Sequence, residues 1–327
     1  MSPRSIRVLT SLALSLLSLA LVAGATASPL QAPTCVGAAT LDLTTGCVDR
    51  ATTVYPSVTG EHNYEPPSAK ACRPIRAGTV ATACVLGSSE SKAKLRFALI
   101  GDSHVSAWSA ALGELGRQQG WRGTVFTGPG CMMTTASNQQ HPILRAACMR
   151  AYRETMAWLR DHREIDFVLM THKSGQWLNG PKATVEQRKF EGFKKTWKQY
   201  PRHVRRVIAL TDTPLASRAQ FDCLVRVVRV AQAPAGPQCW APRQVALPRP
   251  DAAGLAARDL KSSRYRVVDM NDLICTVSLC YPAVGGVLVN LDVSGHMAPD
   301  FARTMEPQLL RRLGPLLPAP RKASKSP

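Results

Sequence analysis

The most reactive local arrangement in the sequence is Gly101-Asp102-Ser103-His104, placed where a short apolar run gives way to a helical pattern. A serine there stands at the carboxyl end of a strand and the amino end of a helix, where backbone N–H groups and the helix dipole favour a developing oxyanion. The same tetrapeptide serves equally as a turn and helix cap, with Asp102 or Ser103 as the capping residue. A serine nucleophile also needs a base within hydrogen-bond reach and a carboxylate that fixes the tautomer of that base. Near the other end of the chain, Asn290-Leu291-Asp292-Val293-Ser294-Gly295-His296-Met297 offers Asp292 and His296 in one strand-to-helix loop. A serine early and an aspartate–histidine pair late is one chain order that supplies all three groups. An ordinary loop carboxylate and a capping or exposed histidine are the plainer readings of the same two residues.

These groups have to be positioned by the elements between them. Residues 95–101 read as a strand, 105–119 as a helix, 123–127 as a strand, 145–162 as a helix and 166–171 as a strand. The alternation continues with a helix over 184–200, a strand over 205–211, a helix over 252–262, a strand over 265–270, a further strand over 286–291 and a helix over 299–313. Strands separated by helices predict a parallel sheet covered on both faces, with function at the carboxyl ends of its strands. The segment 215–250 reads as a helix-plus-loop insertion.

Residues 1–27 carry a basic start, an apolar run over 8–23 and the small residues Ala25-Thr26-Ala27, the pattern of a cleaved signal peptide, with an uncleaved membrane anchor as the alternative. The ten cysteines all follow that segment. They fall into neighbouring pairs, Cys35 with Cys47, Cys72 with Cys84, Cys131 with Cys148, Cys223 with Cys239 and Cys275 with Cys280. Short sequential disulfides suit a compartment outside the cytoplasm, secreted, periplasmic or cell-envelope, and metal-binding CxxC or Cys/His clusters are missing. Residues 28–94, rich in Pro, Thr, Gly and Cys, are expected to form an irregular disulfide-stapled extension, residues 95–317 the α/β domain, and 318–327 a disordered basic tail. With 41 Lys and Arg against 22 Asp and Glu, the formal charge of +19 favours an anionic partner such as an acidic polysaccharide. No aromatic-interleaved basic motif points to nucleic acid.

Taken together, several stretches resemble the SGNH (GDSL-like) hydrolases, and more narrowly the SGNH domains fused to bacterial membrane O-acyltransferases that modify surface polysaccharides. The stretches are Cys35-Val36-Gly37-Ala38, Ala83-Cys84, Ala98 to His104 with Trp108 behind it, Thr127-Gly128-Pro129-Gly130-Cys131, Trp177, Thr211-Asp212-Thr213-Pro214, and the Asp292–His296 loop leading into Phe301-Ala302-Arg303. The resemblance implies a flavodoxin-like three-layer α/β/α sandwich with a mostly parallel sheet. It implies Ser103 as nucleophile, His296 as general base and Asp292 as the residue orienting His296, with no cofactor and no metal. The Ser103 N–H and the loop around Gly130 would supply oxyanion donors. The family sets its aspartate three residues before the histidine; here Val293 holds that place, and Gly295 is positioned to absorb the extra residue as a kink. The family's glycine–asparagine block is absent from Met170 to Trp177, leaving Thr171, His172 or Gln176 as candidate donors. Trp177 and Asp212 are expected to line the cleft.

The implied reaction is transfer or hydrolysis of O-acyl groups, chiefly acetyl, on a cell-envelope or extracellular glycan. The membrane acyltransferase domain of the fused proteins is absent from this sequence, so the resemblance implies that the chain acts alone or with a separate membrane acyltransferase. The alternative is a catalytically silent glycan-binding protein on the same fold.

Overall fold

A computed structural model describes residues 35–44, 46, 54, 72–75, 81–139, 141–176, 178–181, 184–231 and 238–321. The strand Leu95–Gly101 (β3) is buried along almost its whole length, and its successive side chains enter opposite cores. Phe97 and Leu99 pack on one face, and Ala98 and Ile100 on the other. That period of two with apolar residues on both sides is what a central parallel strand requires.

The other strands are Cys72–Pro74 (β1), Thr82–Gly87 (β2), Trp121–Thr127 (β4), Phe167–Thr171 (β5), Arg206–Leu210 (β6) and Tyr265–Val268 (β8). Ala241–Pro242 (β7) pairs with Leu279–Cys280 (β9), and Ala283–Val284 (β10) with Val287–Leu288 (β11), both outside the main sheet. The main sheet runs β1-β2-β4-β3-β5-β6-β8, parallel from β4 to β8, with β2 antiparallel to β4 and β1 antiparallel to β2.

The parallel strands alone, counted along the chain, lie in the order 2-1-3-4-5, the flavodoxin-like winding. Helix Val105–Gln119 (α1) covers one face together with Pro299–Thr304 (α7) and Glu306–Leu313 (α8), around Trp108, Leu112, Phe301 and Leu309. Helices Pro142–Asp161 (α2), Val185–Lys198 (α3) and Ala252–Asp259 (α6) cover the other, around Leu159, Phe193, Trp197 and Ala253. The three-layer α/β/α sandwich expected from the sequence is present.

The differences have local causes. The stretch expected to be irregular before Leu95 contributes β1 and β2, an antiparallel addition held by the Cys72–Cys84 disulfide. Of the strand expected over 286–291, Val287–Leu288 forms a strand, which the Gly285-Gly286 turn folds back on Ala283–Val284 rather than onto the sheet, and Asn290 makes an isolated antiparallel bridge to Met297. The expected final helix is two helices meeting at Met305, because Pro307 has no N–H to continue the first and sits in the opening turn of the second.

Residues 318–321 do not form a free tail. Arg321 Nε pairs with the buried Asp166 Oδ1 at 2.8 Å, and the Ala319 carbonyl accepts from Arg205 at 2.6 Å. In the 215–250 segment Arg218–Arg226 (α4) starts at a Ser217–Gln220 capping box, and Arg243–Ala246 (α5) follows β7.

The disulfides Cys72–Cys84, Cys131–Cys148, Cys223–Cys239 and Cys275–Cys280 are formed as paired from the sequence. Cys35 is disulfide-bonded as well. Cys47, Trp177 and the leader 1–27 lie outside the described residues. Among the described residues no helix is long and apolar enough to cross a membrane. A disulfide of this loop length contributes about 2–4 kcal/mol. Thermal melts with and without a thiol reductant should therefore differ by well over 5 °C; coincident melts would show that the bridges do not stabilise the fold.

Candidate functional site

Ser103 sits in the turn between β3 and α1, at the strand ends where the winding order reverses. That turn is built by close approach. A Cβ on Gly101 would lie 1.9 Å from the Thr171 carbonyl oxygen and 2.7 Å from Val105 Cγ2, so only glycine lets β3 end against β5. Asp102 is buried. Its Oδ1 accepts the His104 N–H at 3.0 Å and its Oδ2 the Lys173 N–H at 2.8 Å, joining the serine turn to the loop after β5. The capping role weighed for Asp102 is thus met by a local turn bond rather than by a cap on α1, whose N-cap residue is His104 and has no side-chain cap. The loop after β4 is tied to the same turn through Gly128 N–H to Gly101 O at 3.1 Å and Thr127 Oγ1 to Asp102 O at 3.1 Å.

The late loop closes onto the serine. His296 Nε2 lies 2.8 Å from Ser103 Oγ, and His296 Nδ1 lies 2.6 Å from Asp292 Oδ2. The other Asp292 oxygen accepts the Ser294 N–H at 2.8 Å and the His296 N–H at 3.3 Å, so the carboxylate is wrapped by its own loop. Gly295, at φ +85°, supplies the left-handed residue that turns His296 back over the four-residue spacing. Asn290 fastens the loop from outside by donating Nδ2–H to the Pro214 carbonyl at 3.0 Å. Burial works to raise the Asp292 carboxyl, but the hydrogen bond and charge of His296 outweigh it and hold the group below the usual carboxylate range. An ionised carboxylate on Nδ1–H leaves Nε2 as the acceptor that faces the hydroxyl.

The remaining sequence candidates divide. Gly130 stays in the loop beside the serine turn, and its carbonyl accepts the Gln176 side-chain amide at 3.0 Å, which bridges the loops after β4 and β5. Gln176 is therefore engaged with that carbonyl. Thr171 and His172 do not serve as donors to an incoming ester, because both are buried and His172 is fully enclosed against Phe193. Asp212 does not line the cleft either. It is buried, accepting the Ser174 N–H at 2.6 Å and the Thr213 N–H at 2.9 Å while pairing with His104 Nδ1 at 2.7 Å. Among the described residues no group of three His, Cys, Asp or Glu side chains converges as a metal site.

His104 is the residue the sequence reading passed over, although it adjoins Ser103 and Asp212 follows a neighbouring strand. Burial pulls its pKa down, but the charge and hydrogen bond of Asp212 and the charge of Asp102 overcome this and raise it to about 9. For Asp212 burial is likewise outweighed, by His104 and by the Ser174 N–H, so the carboxyl stays ionised. A histidine whose folded pKa exceeds its unfolded value, about 6.5, stabilises the fold fully below the unfolded value and ceases to do so as pH rises through the folded one. Stability should thus fall by about 3 kcal/mol between pH 6.5 and the region above pH 9, on the shift from 6.5 to about 9. Denaturant titrations across that range check this, with Asp212→Asn as the variant in which the slope disappears.

A family model described as the SGNH domain fused to AT3 domains matches residues 70–311, most of the chain. The chain belongs to this SGNH-domain family. Among solved structures, it is similar to the lipopolysaccharide acetyltransferase periplasmic domain of Salmonella ser. Paratyphi A, with a TM-score of 0.51 at 14% identity. The match covers 68% of this chain and 84% of that one, and supports the SGNH fold. No curated protein sequence matches the chain significantly. The Gly295 kink is how the loop brings His296 back onto Asp292 across their four-residue spacing.

Proposed function

We propose that this SGNH domain is a serine O-acyl transfer enzyme acting on acyl esters, chiefly acetyl, of a cell-envelope or extracellular polysaccharide. The observation that carries the reading is the continuous chain of hydrogen bonds from Asp292 through His296 to Ser103 Oγ, set at the strand ends of the switch point. Ser103 Oγ attacks the acyl carbonyl carbon while its proton passes to His296 Nε2, and Asp292 steadies the imidazolium that forms. The Ser103 N–H and the loop at Gly130 stabilise the oxyanion. The ester C–O bond then breaks, the leaving sugar oxygen takes the proton from His296, and an acyl-Ser103 remains. Water or a second sugar hydroxyl repeats the sequence in reverse, giving hydrolysis or transfer.

The glycan substrate is supported by the family's fusion to AT3 domains and by the fold neighbour's description as a lipopolysaccharide acetyltransferase domain. The same context supports a membrane acyltransferase as partner. A place outside the cytoplasm, secreted or in the periplasm, is supported by the leader pattern and the disulfides. The formal charge of +19 suits an acidic glycan.

Activated acetyl esters test the chemistry without the natural glycan. Asp292→Asn should lower kcat on the order of 10²–10⁴-fold, because an amide cannot hold the required tautomer or balance the imidazolium. A loss of under threefold would remove Asp292 from the machinery and leave a Ser103–His296 dyad.

A further inference from the structure

The loop after β5 runs beside the serine turn. Gly101 and Thr171 are register partners at the ends of β3 and β5. Ser103 and Lys173 each stand two residues beyond that pair, on strands that lie about 4.8 Å apart. The placement is held by the backbone: Lys173 N–H donates to Asp102 Oδ2 at 2.8 Å, and Ser174 N–H to Asp212 Oδ2 at 2.6 Å. A turn follows, closed by Gln176 N–H to the Lys173 carbonyl at 3.0 Å and clipped to the Gly130 carbonyl by the Gln176 side chain. His172 and Ser174 on either side are buried, whereas Lys173 is half-buried. Its stem lies over the open face of the turn, where among the described residues a Cβ on Gly175 would meet only Lys173 Cε, at 3.8 Å.

The ammonium at the end of that stem has no ion pair or hydrogen bond among the described residues. The nearby carboxylates are engaged elsewhere. Asp102 accepts the His104 and Lys173 N–H groups, Asp212 accepts from Ser174 and Thr213 and pairs with His104, and Asp292 serves Ser294 and His296. The buried Lys189, by contrast, commits its ammonium to the Ser174 carbonyl and to Glu186. A cation fixed by its backbone beside a nucleophile, and left without a counter-ion, is a receptor for an anion. We propose that Lys173 is a specificity-determining residue: its ammonium binds an acid group, carboxylate or phosphate, on the sugar that carries the acyl ester, and so selects acidic glycans. The inference rests on the reading of Ser103 as the nucleophile given above. The flexible four-carbon stem lets the ammonium follow an acid group elsewhere on the ring. A half-exposed ion pair of this kind contributes about fivefold, and less as salt rises.

The experiment measures acetate release from acetylated methyl galactosides that differ only at the exocyclic carbon, which carries a hydroxyl, a carboxylate or a phosphate. The proteins are the wild type, Lys173→Met and Lys173→Gln, and the readout is the ratio of kcat/KM on each acidic ester to that on the neutral one. In the wild type that ratio should be about five or more for one of the acid sugars, and the sugar preferred tells carboxylate from phosphate. It should fall towards one in both variants, and added salt should erode it in the wild type. Equal rates on acidic and neutral esters in the wild type overturn the proposal, as does a variant that keeps the preference. A merely structural lysine would slow every ester alike and leave the ratio where it was, which also overturns it. Absence of serine-dependent turnover on any ester would defeat the acyl-transfer reading instead. Equilibrium binding of the deacetylated sugars would then decide the role of Lys173: tighter binding of the acid sugar by the wild type than by the variants upholds it, and equal binding overturns it.

Discussion

Ser103→Ala should abolish turnover of an activated acetyl ester, with a loss on the order of 10⁴-fold or more in kcat, while the melting temperature changes little. Ser103 is half-buried in a turn whose fold depends on Gly101 and Asp102 rather than on the hydroxyl, so removing Oγ costs chemistry and not structure. His296→Ala should cost nearly as much, because the hydroxyl 2.8 Å away loses its proton acceptor. The double variant should be no worse than either single one, since groups that act as a unit fail together. Steady-state and pre-steady-state assays of the three variants measure this directly. Small, similar and additive effects from each would remove both residues from the reaction.

The second large effect falls on the fold. Gly101→Ala places a methyl group 1.9 Å from a backbone oxygen of the neighbouring strand, and no rotamer change relieves a clash with backbone. β3 and β5 would have to part at the end that carries the serine turn. We expect destabilisation of about 3 kcal/mol or more, with loss of soluble protein or a melting temperature lowered by about 6 °C or more. A Gly101→Ala protein that melts like the wild type would mean that the strands do not meet as described. Because the damage begins at the serine turn, any Gly101→Ala protein that does fold should also turn over poorly.

Much of the scaffold was legible because it rests on local pattern. The buried strands are unbroken apolar runs, such as Phe167–Thr171, and the helices between them carry a clear period, so the parallel sheet and its switch point followed. The Ser103, Asp292 and His296 trio was legible as residue types in a workable order. Whether Asp292 could reach His296 turned on one φ angle at Gly295, which spacing alone does not determine.

What stayed hidden was non-local. The pairing of His104 with Asp212 spans 108 residues and depends on two loops converging over the sheet. Thr171 and His172 read as loop donors because they stand at the end of a strand, yet both are buried, His172 against Phe193 of α3. β1 and β2 carry Pro, Thr and Cys in place of alternating apolar residues, because an edge pair held by a disulfide has less need of a buried face.

The central claim is that Ser103 carries the acyl group. The most direct measurement is rapid quench of the protein with para-nitrophenyl acetate, followed by intact-mass and peptide mass spectrometry, beside the Ser103→Ala variant. The account predicts one acetyl group per chain, located on the peptide containing Ser103, formed in a burst and absent from the variant. Acetylation confined to lysines, or equal labelling of both proteins, would contradict it.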